Sequence, residues 1–95
     1  MKAQYYVCLG HPETTAPDFE IIKQVDLPFV PNVGMTILVD EMDFTVTSTT
    51  WYQEDACLIV NLNDMNYKSA DIAIEQAGLL IKDGWTPECD YRELK

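Results

Sequence analysis

Apolar and polar positions alternate with a period of two through the first two thirds of the chain. The period lengthens to about 3.6 near residue 69. Gln4 to Leu9 is rich in β-formers and stops at Gly10, which predicts a first strand. His11 to Asp18, with Pro12 and Pro17, reads as a loop. Phe19 to Val25 predicts a second strand with Phe19, Ile21 and Val25 on one face. Lys23 interrupts that face, which places the strand near a sheet edge. The apolar loop Leu27 to Gly34 is stiffened by Pro28 and Pro31. Pro31 and Asn32 suit a turn centre, and Gly34 suits positive φ.

Three further strands follow, at Met35 to Val39, Phe44 to Tyr52 and Ala56 to Leu62. Polar turns at Asp40 to Asp43 and at Glu54-Asp55 separate them, so they read as an antiparallel meander. In the fourth strand, alternation puts Phe44, Val46 and Tyr52 on one face and Thr45, Thr47, Thr49 and Trp51 on the other. A bulge would turn Trp51 inward.

The helical segment opens at Ser69, a suitable N-cap, with Asp71 in the first turn. Ala70, Ala73, Ile74, Ala77, Leu80 and Ile81 form its stripe, Lys82 closes it and Gly84 stops it. Gly78 weakens this helix by about 1 kcal/mol relative to alanine and permits close approach to a sheet. Beyond it, Trp85 or Tyr91 is expected to pack back. A helix with such a stripe must cover a sheet face. The expected fold is therefore α+β, a twisted antiparallel sheet of about five strands with one C-terminal helix. A small, partly closed β-barrel plus helix is the alternative. All 95 residues fit one domain.

Charge changes the picture. Sixteen acidic residues against six basic ones give a net charge of −10. Phosphate backbones and anionic membranes repel such a chain, which argues against direct nucleic-acid or membrane binding. A basic protein or a cation is the partner this field attracts, and net charge also serves solubility alone. No apolar run reaches the ~18 residues of a membrane span, and the N-terminus lacks signal-peptide features. Cys8, Cys57 and Cys89 are odd in number and widely spaced, which suits reduced thiols in the cytosol.

Between Lys23 and Lys68 the chain has no basic residue. The meander should bring Asp40, Glu41, Asp43 and Asp64 to one end of the sheet, and Glu54 and Asp55 to the other end near Asp26. Such a cluster can imitate a phosphate track and occupy a basic groove. Trp51 is a candidate anchor, because tryptophan is enriched at binding hot spots. These seven residues are the candidate partner-binding set; turn carboxylates that are merely solvated are the plainer account.

Other chemistry finds less in the sequence. Cys8 and His11 have C-x2-H spacing, and Cys57 and Cys89 would complete a Cys3His zinc set, but no second close pair exists. The same Cys8 and His11 form a thiol–imidazole pair only if the loop folds back. Asn61, Asn63, Asp64 and Asn66 suggest a calcium loop that lacks its glycine and terminal glutamate. The expectation is a non-enzyme with no cofactor and no metal. A self-associating module is the alternative, pairing through an edge strand such as Gln4 to Leu9 or through the Pro28 to Pro31 loop.

Leu27 to Gly34, followed by Ile37, Val39, Phe44, Val46 and Trp51, resembles a pattern in small uncharacterised bacterial and phage proteins, where a P-x-x-G turn opens a β-meander. That resemblance covers the middle third of the chain. It implies a small sheet or barrel and no known active site. The pattern often has an acidic residue after the glycine, where this chain has Met35. In type, a small and very acidic α+β domain is similar to phage-encoded inhibitors, including anti-CRISPR proteins.

Overall fold

The computed structural model describes residues 1–11 and 19–87; the Phe19 side chain, the segment 12–18 and the tail with Cys89 and Tyr91 lie outside the described part. The elements are β1 (Lys2–Gly10), β2 (Phe19–Asp26), β3 (Thr36–Val39), β4 (Met42–Tyr52), β5 (Cys57–Leu62), β6 (Met65–Asn66), α1 (Ala70–Lys82) and β7 (Thr86–Pro87). The fold is α+β, with one helix on a mixed sheet in the order β3-β4-β5-β1-β2-β7. That sheet is strongly curled into a half-barrel.

Two expectations need correction. Among the described residues the sheet has seven strands rather than about five, because the short strands β6 and β7 pair with β1 and β2. It is also mixed rather than antiparallel, because β1 runs parallel to β5, pairing Ala3 with Leu58 and Tyr5 with Val60. β1 is therefore the interior strand, and Gln4 to Leu9 offers no edge for self-pairing. The β3-β4-β5 meander is antiparallel as expected.

Alternation decides which face is dry. Ala3, Tyr5, Val7 and Leu9 of β1 join Ile21, Phe44, Val46, Leu58, Val60 and Leu62 in one core. The helix caps it with Ala73, Ile74, Ala77 and Leu80, while Ile81 stays on the half-buried flank. Small residues at 70, 73 and 77 let α1 approach β1 closely. Ser69 Oγ accepts from the Ile72 N–H at 3.3 Å, a cap of about 1 kcal/mol.

The helix ends in a Schellman motif. Trp85 N–H donates to Leu80 O at 3.1 Å, Gly84 N–H donates to Ile81 O at 3.2 Å, and Gly84 takes φ 102°. This reversal drives Trp85 back under the helix, where it is 2% exposed. Of the two residues expected to pack back, Trp85 does so.

Turn geometry is tighter than expected. Asp40 and Glu41, at φ 52° and 67°, form a two-residue hairpin loop between the paired Val39 and Met42. Two left-handed residues there mark a type I′ turn. In the preceding loop, Met35 N–H donates to Asn32 O, so Val33 and Gly34 occupy the turn centre in place of Pro31 and Asn32. Gly34 has positive φ, as expected.

Leu9 is fully buried between the sheet and its helix. Leu9→Ala is expected to lower the unfolding free energy by about 2–5 kcal/mol, measured by urea denaturation. Leu79→Ala, on the exposed side of α1, should stay within about 0.5 kcal/mol of the parent.

Candidate functional site

The curl brings the β3–β4 turn against β2, although β5 and β1 stand between β4 and β2 in the sheet. Lys23 Nζ donates to Asp40 Oδ2 at 2.7 Å, and Trp85 Nε1 donates to the same oxygen at 3.1 Å. Lys23 also donates to the Asp83 carbonyl at 3.3 Å and sits 5.8 Å from the centre of the Trp85 ring. Phe44 meets the same ring at 6.1 Å between centroids. The Lys23 ammonium and the indole N–H hold the Asp40 carboxyl below its usual range, against a smaller opposing effect of burial. Asp40 thus serves the fold with a carboxylate only 29% exposed.

Register places the other acidic residues. Val46 pairs with Leu62, and Asn63 both donates to Thr45 O at 3.0 Å and accepts from Thr45 N–H at 2.7 Å through Oδ1. Asp64 therefore follows at the end of the sheet where Asp43 and the Asp40-Glu41 turn lie. Glu41, Asp43 and Asp64 are exposed there. Among the described residues none of the three has an ion pair.

Trp51, Glu54 and Asp55 sit at the far end. From Asp43 to Trp51 the strand covers eight residues, at most about 26 Å. A bulge at Thr47 intervenes, with Thr47 Oγ1 donating to Asn61 O at 3.1 Å. It reverses the faces beyond it, so Trp51 pairs with core-facing Leu58 and Tyr52 with Cys57 on the opposite side. Simple alternation placed both aromatics on the wrong faces. Both remain 53% exposed, because they reach the rim of the sheet. With Gln53, Glu54 and Asp55 they line a surface concavity of about 760 Å³. The seven candidate residues therefore stand in two groups, one at each end of the sheet, the division the meander implied, with Trp51 in the group of Glu54 and Asp55.

The sheet face away from the helix carries a second hollow of about 290 Å³, lined by Lys2, Gln4, Tyr6, Tyr52, Asp55, Cys57 and Ile59. Sequence reasoning missed it; its signal was the half-apolar set Gln4, Tyr6 and Cys8 opposite the core positions of β1. Asp26 shares this end of the sheet and binds the Met1 amine at 2.6 Å.

Metal chemistry finds no support. Cys57 stands beside Lys2 in register, and Cys8 is six residues farther along β1, roughly 20 Å away at strand rise. Those two thiols cannot share one zinc, and Cys89 lies outside the described residues. Among the described residues no three His, Cys, Asp or Glu side chains gather as a metal site. The asparagines of the suspected calcium loop serve the sheet, with Asn61 Nδ2 donating to Ser48 Oγ at 3.0 Å. Among the described residues no helix is long and apolar enough to cross a membrane.

No protein-family model, curated protein or solved structure matches this chain.

The depressed Asp40 pKa sets a pH test. Its contribution is fully present above the ordinary carboxylate range, near pH 4, and is lost as pH falls through the depressed folded value. Asp40→Asn keeps an acceptor for Trp85 and removes the charge. It is expected to cost about 1 kcal/mol at pH 7. This difference from the parent should shrink steadily below about pH 4. Urea titrations of both chains across that range read it directly; a difference that grows toward acid would contradict the assignment.

Proposed function

We propose that this chain is a non-enzymatic binding protein. It engages a basic, nucleic-acid-binding protein by charge mimicry, like the phage-encoded inhibitors it resembles in type. The observation that carries this reading is Glu41. A non-glycine residue in the left-handed region costs about 1–2 kcal/mol, and Asn-Gly would fill a type I′ turn more cheaply. For Asp40 the Lys23 and Trp85 bonds offset that cost. For Glu41 no hydrogen bond or ion pair among the described residues does so. Strained positions cluster at contact surfaces, and an exposed carboxylate kept at one supports a contact made by Glu41 with a partner.

Asp43 and Asp64 extend the same negative surface, and Asp40 contributes the rigid base on which it stands. Trp51, Glu54 and Asp55 form a second acidic group with exposed aromatic surface. A guanidinium or ammonium would find both ring faces and carboxylates there. A groove built to follow a phosphate backbone is long enough to touch both ends of the sheet. Such binding is electrostatic and is screened over roughly 8–10 Å at ordinary ionic strength.

The test is an affinity column carrying this chain, loaded with bacterial lysate at low salt and eluted at high salt. A basic protein should elute, and nucleic acid should compete for it. Combined Glu41→Lys, Asp43→Lys and Asp64→Lys substitutions should weaken its binding at least tenfold; unchanged affinity removes the proposal. Glu41→Gly should separate the two roles of the turn, raising stability by about 1 kcal/mol while weakening the partner.

A further inference from the structure

Among the described residues the sheet has two edges, and they differ in how they are guarded. One is β7 (Thr86–Pro87), where Pro87 has no N–H to offer. β3 carries neither proline nor lysine and, among the described residues, forms the last strand on its side. Val46 N–H donates to Met35 O, which fixes the parity of the ladder. Met35, Ile37 and Val39 turn their backbone groups toward β4, so Thr36 and Leu38 turn theirs outward. Apolar side chains gather along this margin. Leu38 is 69% exposed, and Val33 at the turn leading into the strand is 66% exposed. Phe29 and Val30 in the preceding loop are also exposed.

We infer that the β3 edge accepts an extended basic segment of a partner protein, added as a further strand. Outward N–H and C=O groups of Thr36 and Leu38 supply the ladder; the apolar row of the incoming strand continues the face of Ile37 and Val39, and the stems of its basic row cover Leu38. Sign is selected by the surroundings. Leu38 stands directly opposite Asp43, and Glu41 projects from the turn that ends the strand. Lysine or arginine at alternate positions of the incoming strand would meet these carboxylates. A second copy of this chain is disfavoured at the same edge, because it would bring its own Glu41 and Asp43 and a net charge of −10. This inference rests on the basic-partner reading and specifies how the acidic end is used.

The probe is a capped decapeptide of alternating lysine and valine. Its control has the same charge, with two central valines replaced by proline, and cannot extend a ladder. Amide NMR spectra of the full chain are recorded with each. The alternating peptide should bind at least tenfold more tightly, with the largest shifts and slowed exchange at the Thr36 and Leu38 amides. Leu38→Pro removes one outward N–H and leaves the β3–β4 bonds intact, so it should fold and lose that preference. If it does not fold, an alternating peptide N-methylated at every second residue, which keeps its charge and cannot complete the ladder, serves the same purpose against the parent chain.

Equal binding of the two peptides, weakened by Asp43→Lys, would overturn the edge inference and leave the acidic-surface reading standing. Shifts centred on Glu54 and Asp55 would do likewise. A Leu38 amide that moves with protein concentration alone would assign the edge to a second copy and overturn the inference. Absence of binding by either peptide would overturn the inference and count against the reading beneath it.

Discussion

One carboxylate oxygen ties the curled sheet to itself. Asp40 Oδ2 accepts from Lys23 on β2 and from the Trp85 indole, both across the open mouth of the half-barrel. The arrangement explains how a lysine can occupy a core-facing position. Its stem lies along the Trp85 ring while its head reaches the carboxylate. The ion pair itself is worth little, since a partly exposed pair contributes about 1 kcal/mol or less. Its consequence is positional. Removing the carboxylate would leave an indole N–H and an ammonium without their acceptor, at a cost of about 1–3 kcal/mol. The hairpin turn is therefore held in one place, and Glu41 is held with it.

The bulge at Thr47 is the second constraint. Without it, β4 would continue Phe44 and Val46 into Tyr52, and the far end would bury the tyrosine and expose the tryptophan side. One unpaired residue exchanges them. The exchange puts Trp51 on the core-facing side and Tyr52 on the outer side of a rim that also carries Glu54 and Asp55. The candidate groups at the two ends of one long strand are thus placed for different reasons, a fixed turn at one end and a face reversal at the other.

Much of this was legible in the residues. Five strands and the helix lie close to where periodicity placed them, because alternation and the 3.6-residue stripe report burial directly. Ser69 and Gly84 were readable as caps because each supplies a specific bond or a specific φ. The parallel partnership of β1 with β5 was not readable. Nothing local in Gln4 to Leu9 records which distant strand will pair with it. β6 and β7 were missed because two residues carry no period. The Asp40 to Lys23 contact was missed because it depends on curl, a property of the whole sheet. The acidic grouping was half legible: adjacency in a meander predicted that Asp43 and Asp64 meet, but strand length separated Trp51 from them.

Acidity and edge exposure fit one argument. A sheet with an open apolar edge ordinarily pairs with its own copies, and natural edges are often guarded by inward or flanking lysine. Here the flanking charges are Glu41 and Asp43, and the chain's net charge is −10. Such guards repel an identical strand as well as lysine would, because like charges brought directly opposite are unfavourable whatever their sign. They differ in what they admit. A lysine-guarded edge rejects basic polypeptides, whereas an edge guarded by carboxylates rejects acidic ones and leaves basic ones the favourable case. On the proposed reading, the charges that disfavour an identical copy at this edge also select the kind of strand that would approach it.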